Sequence, residues 1–188
     1  MTEFLILPLL VLLAVGAVGY YVYAKRRARK ERIAETISST NLLARWAYSP
    51  DDWRRAADEE FTWVKNKDSP GQVYISPTTI YIKNDYQDRL IDLSGEGRVV
   101  THASYLGSDM SPLKLRLRRK VVTTHLDSNR QEVKYYKEDY RLPVPLTYRE
   151  EAERVVKFFT ARLENDLAAY TAVVSDDEPI SLFGKDPF

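Results

Sequence analysis

Hydrophobic and polar positions alternate along this chain in three different rhythms. From Phe4 to Ala24 the sequence FLILPLLVLLAVGAVGYYVYA contains no charge. At about 1.5 Å per helical residue, that run matches a hydrocarbon core of about 30 Å. A single transmembrane helix is therefore expected there, with Tyr20, Tyr21 and Tyr23 gathered where amphipathic rings favour the headgroup level. Lys25, Arg26, Arg27, Arg29, Lys30 and Arg32 follow against only Glu31, whereas residues 1–3 hold no Lys or Arg. The positive-inside bias then places residues 1–3 outside and the remaining chain in the cytoplasm, the layout of a single-pass protein of the inner cell membrane. A cleavable signal peptide ending at Ala24 is the competing reading. The uncharged start, the long apolar run and the basic cluster beyond it argue against that alternative.

The second rhythm is helical. Residues 25–48 read as a basic juxtamembrane linker, irregular or helical, in which Leu42, Leu43 and Trp46 are spaced to bury one face. Ser49 then offers an N-cap with Pro50 at the first helical position, Asp51 and Asp52 in the first turn, and Tyr48 and Trp53 placed for a hydrophobic staple. Trp53, Ala57, Phe61 and Val64 make an apolar stripe, so a helix is expected from Pro50 to about Val64. A second helix is expected to open at Thr147 through a capping box with Glu150. It buries Ala152, Val155, Val156, Phe159, Leu163 and Leu167.

Between the helices the period drops to two. Gln72–Ser76, Thr79–Lys83, Arg89–Leu93 and Arg98–Thr101 are short strand candidates separated by Pro, Asn-Asp and Gly signals. In the clearest strand, Leu113–Val122, three leucines face one way while Lys114, Arg116 and Arg118 face the other. Its hairpin partner is Glu132–Val144, whose Glu132, Glu138 and Asp139 are expected to pair with the basic row. Residues 49–170 thus read as one α+β domain with a mostly antiparallel sheet or barrel closed by a C-terminal amphipathic helix. Residues 171–188 follow as a flexible tail, with Asp176, Asp177 and Glu178 ahead of Ile180, Leu182 and Phe183.

The order of short antiparallel strands and one closing helix resembles that of small bacterial pleckstrin-homology-like domains. The resemblance is carried by GQVYISPTTIYIKND, RLIDLSGEG and YRLPVPLTYREEAERVVKFFTARL and covers about residues 71–168. It implies that fold and a protein-binding platform. Phosphoinositide-binding members carry a basic pair near the first hairpin, where this chain has only Lys83 close to Asp85 and Asp88, so the resemblance does not extend to that ligand.

Composition narrows the chemistry. The chain has 188 residues, 44% of them hydrophobic, and no Cys, which removes disulfides, thiolate chemistry and Cys-ligated metals. From residue 33 onward 22 basic residues stand against 25 acidic ones, and such a balance predicts no nucleic-acid binding. His102 and His125 lie in or near expected turns without a second ligand at helical spacing, and Gly95-Glu96-Gly97 lacks the rest of a dinucleotide fingerprint. No catalytic residue, metal, cofactor or small-molecule substrate is expected, and the chain does not read as an enzyme. The candidate contacts for protein or lipid are Trp46, Lys114, Arg116, Arg118, Arg119, Lys120, Ile180, Leu182 and Phe183. The expected function is a membrane-anchored cytoplasmic docking module. In that role it serves as an accessory subunit of a larger membrane protein complex, by analogy with single-helix subunits that cap photosynthetic and respiratory complexes. An anionic-lipid sensor using the basic strand is the second reading and an unrecognised enzyme the third.

Overall fold

The computed structural model describes the backbone of residues 3–38, 40, 42–95, 97–125 and 130–174, with side chains for 14–38, 40, 42–95, 97–124 and 131–166. The first element, α1, is one unbroken helix over Glu3–Ile37. The expected membrane span is corrected by it: among the described residues no helix is long and apolar enough to cross a membrane. Beyond the uncharged run of residues 4–24 the same helix continues through the six basic residues. Residues 4–13 lie outside the described side chains. The single-pass inner-membrane placement, with its outside N-terminus, is corrected on the same finding.

The last turns of α1 belong to the domain rather than to a linker. Arg29 reaches Asp88 at 2.8 Å, Arg32 reaches Asp92 at 2.7 Å, and the Thr36 hydroxyl lies 2.5 Å from that of Thr79. Thr36 is buried and Ile33 half-buried, while residues 14–32 are exposed. These contacts lay the end of α1 along one sheet and leave the rest of the helix projecting.

That sheet has the order β1-β2-β3-β4, from Ala44–Ala47, Gln72–Ile75, Thr79–Lys83 and Asp88–Asp92, with every pair antiparallel. Helix α2, Pro50–Glu59, enters between β1 and β2. Its start follows the sequence signals: the Ser49 hydroxyl accepts the Asp52 N–H at 3.1 Å, and Tyr48 and Trp53 lie 5.4 Å apart between ring centres. The helix ends at Glu59, short of the expected Val64. Phe61 and Val64 are buried all the same, from a turn in which the Val64 N–H bonds the Phe61 carbonyl. An apolar spacing of helical period is here satisfied by a loop.

A second sheet, β5-β6-β7, comprises Arg98–Ser104, Pro112–His125 and Arg130–Pro143. The single sheet or closed barrel expected from sequence is thus corrected to two separate antiparallel sheets. The chain turns away after β4 because the Asp92 carboxylate accepts the N–H groups of Ser94 and Gly95. Gly97 then takes a positive φ of 72° beside the Lys120 backbone, a conformation that costs glycine little. A 3-10 turn over Leu146–Tyr148 leads into α3, Arg149–Val174. No side chain caps that turn, so the expected Thr147–Glu150 capping box is replaced by Pro145 ahead of a tight turn.

The core lies between the two sheets and α3. It joins Trp46, Val73, Ile75, Ile80 and Ile82 from the first sheet to Leu113, Leu115, Leu117 and Leu142 from the second. Trp53, Ala152, Val155 and Phe159 come from the helices.

Candidate functional site

Strand alternation builds the surface of interest. Because Leu113, Leu115 and Leu117 are buried, the even-numbered residues of β6 face outward: Lys114, Arg116, Arg118 and Lys120. The register of β7 sets Arg141, Asp139, Lys137 and Tyr135 directly opposite them. On β5, Ser104, His102 and Val99 oppose Lys114, Arg116 and Arg118, and a register shift between Val100 and His102 bends the strand at that level.

Two of the cross-strand pairs are like-charged, Lys114 opposite Arg141 and Arg118 opposite Lys137. Like charges directly opposite in a sheet are destabilising. Arg116 is the exception, donating to both oxygens of Asp139 at 2.7 and 3.1 Å. That hydrogen bonding holds the Asp139 carboxyl below its ordinary value and the Arg116 guanidinium above its own. Arg118 rests 4.0 Å over the Tyr135 ring, a cation–π contact that keeps its guanidinium spread flat on the sheet. Arg141 also reaches Glu60 at 3.0 Å. A groove of about 660 Å³ crosses this face, lined by His102, Ser104, Lys114, Arg116, Asp139 and Arg141 among others.

Beyond the pairing of Arg98 with Arg119, β6 and β7 outrun β5 and continue as a two-stranded overhang. It exposes Val122, Val133, Tyr135 and Tyr136. Strand β7 is also the outer strand of its sheet, pairing among the described residues with β6 alone, and at its end the Pro143 carbonyl accepts from Tyr48.

The sequence candidates are sorted by this geometry. Lys114, Arg116, Arg118 and Lys120 share one exposed face, whereas Arg119 lies on the opposite face and is half-buried. Trp46, expected at an interface, is fully buried, and its indole N–H donates to the Tyr48 hydroxyl at 2.8 Å. Of the three acids expected to pair with the basic row, Asp139 does so on its outward face, with Arg116. Glu138 accepts from the Tyr140 hydroxyl on the other face, and Glu132 lies on that face too. Tyr20, Tyr21 and Tyr23 are exposed on α1 with Lys25, Arg26 and Lys30, while Arg27 pairs with Glu31. Arg29 and Arg32 are sheet anchors rather than interfacial charges. Ile180, Leu182 and Phe183 lie outside the described residues.

Sequence reading missed Lys137, Arg141 and His102 as members of the face. The period-two pattern of Tyr135, Lys137, Asp139 and Arg141 carried the signal for β7, provided the hairpin register was known. Among the described residues no three acidic or histidine side chains converge as a metal site. No family model matches this chain, and no curated protein or solved structure is significantly similar to it.

Proposed function

We propose that the protein is a non-enzymatic docking module whose second sheet receives an acidic surface of a protein partner. The observation that carries this reading is the two like-charged cross-strand pairs. Six cations, Lys114, Arg116, Arg118, Lys120, Lys137 and Arg141, share a face on which Asp139 pairs with Arg116 and Glu60 reaches Arg141 from the end of α2. Such an arrangement costs folding stability and is relieved when an anionic partner covers it. The outer edge of β7 favours protein over lipid, since a polypeptide can add main-chain hydrogen bonds there and a lipid surface cannot. The resemblance to pleckstrin-homology-like domains supports the same role as a platform.

The test measures binding of fluorescent poly-glutamate at low and high salt, with anionic and neutral vesicles as parallel arms. Poly-glutamate is expected to bind at low salt, and doubling the ionic strength from about 0.1 M weakens it several-fold as the Debye length falls below about 10 Å. Lys114→Glu combined with Arg118→Glu is expected to abolish the binding. Absence of binding at low salt overturns the proposal, and binding confined to anionic vesicles transfers the face to lipid.

A further inference from the structure

We infer that the chain's own C-terminal segment, residues 175–188, is a ligand of this face, lying along the β6–β7 overhang and competing there with the acidic partner. The inference rests on the proposed reading of the face as a site for acidic chains, and it names one such chain.

Helix α3 packs on the buried side of this sheet, and its path brings the segment to the edge beside β5, from which it crosses to the outward face. Near its start, Arg149 lies beside Gly107, just past the end of β5. Further on, Phe159, Arg162, Leu163 and Asp166 share a small cavity with Arg98, Val99 and Val100 at the beginning of that strand. Helix α3 therefore runs antiparallel to β5 and heads toward the side on which β6 and β7 outrun it. The backbone from Asp166 to Val174 adds about 12 Å in that direction.

Length and order fit as well. Fourteen residues reach about 46 Å when extended, whereas the overhang from Lys120 to His125 is roughly 17 Å long. In the segment, Asp176, Asp177 and Glu178 come before Ile180, Leu182 and Phe183. Arg118 and Lys137 stand just ahead of the overhang and Lys120 at its start, before the exposed Val122 and Val133 in the same outward direction. Acid meets base and apolar meets apolar in one register. The Lys120 N–H still bonds the Gly97 carbonyl, and beyond it the place that β5 vacates beside β6 leaves a backbone edge for the incoming strand.

Two forms of the protein, the full chain and a chain ending at Val174, are compared by thermal melting and then titrated with two probes. One probe is a synthetic peptide of residues 175–188 and the other is poly-glutamate. The peptide is expected to bind the shortened chain, to lose at least ten-fold in affinity when salt is raised, and to bind the full chain about ten-fold more weakly because the site is already filled. Lys120→Glu with Lys137→Glu in the shortened chain is expected to remove peptide binding. Equal affinity of the peptide for both forms overturns the inference. So does a peptide that fails to bind while poly-glutamate still does, and the docking reading then survives. If neither probe binds the shortened chain, both fall. Should the shortened chain melt without a transition, the full chain carrying Asp176→Asn, Asp177→Asn and Glu178→Gln takes its place. The peptide is then expected to bind that variant about ten-fold more tightly than it binds the unaltered chain, and equal affinity counts against the inference.

Discussion

Tyr48 shows how one side chain ties the two layers together. Its hydroxyl accepts from the Trp46 indole at 2.8 Å and donates to the Pro143 carbonyl at 2.6 Å, joining β1 to the end of β7. Burial pushes the phenol well above the usual tyrosine range, so it stays a neutral donor. Tyr48→Phe leaves a buried N–H and a buried carbonyl without this partner. The expected loss is about 1–3 kcal/mol of unfolding free energy in chemical denaturation, with the native fold retained. The same residue shows what was legible. Its staple with Trp53 and the cap at Ser49 were readable because they involve neighbours in sequence. The strand pairing that buries Trp46 was not, because it joins Trp46 to Val73 across an intervening helix.

At the scale of elements, the α1–sheet junction is held by groups that titrate. Burial acts to raise the Asp92 carboxyl, but the N–H groups of Ser94 and Gly95 and the nearby Arg32 outweigh it and hold the carboxyl below its ordinary value of 3.8. A carboxyl depressed in the folded state contributes stability that is complete above the ordinary value and is lost as pH falls through the lowered one. Acidification below about pH 4 is therefore expected to loosen the end of α1 before the core melts. Hydrogen exchange of residues 29–37 reads this out, and Asp92→Asn is expected to reduce their protection by about 1 kcal/mol at neutral pH. Elements differed in how plainly they were written. Strand β6 was readable because its leucines and cations alternate without interruption. Strand β1 was hidden because Ala44–Ala47 is only four residues long and sits in a stretch with apolar spacing of helical type. The apolar run of α1 was plain, but no described helix is long and apolar enough to cross a membrane, and the end of this one is anchored on the sheet through Arg29–Asp88 and Arg32–Asp92.

For the whole molecule, near-neutral composition concealed a polarised surface. The cations of β6 were visible in sequence, but opposing acids on β7 were expected to cancel them, and the true register turns Glu138 and Glu132 to the other face. What remains is a basic sheet face maintained at some expense in stability and bordered by the outer edge of β7. Folding and binding pull this face in opposite directions, and Lys137→Glu separates the two. The substitution sets a carboxylate opposite Arg118. Relief of the like-charge pair is worth roughly 0.2–1 kcal/mol, which raises the thermal midpoint by about 1–3 °C. The most direct measurement is the midpoint and the poly-glutamate affinity of Lys137→Glu beside those of the unaltered chain. A higher midpoint with affinity reduced about ten-fold is the predicted result, and undiminished binding contradicts the account.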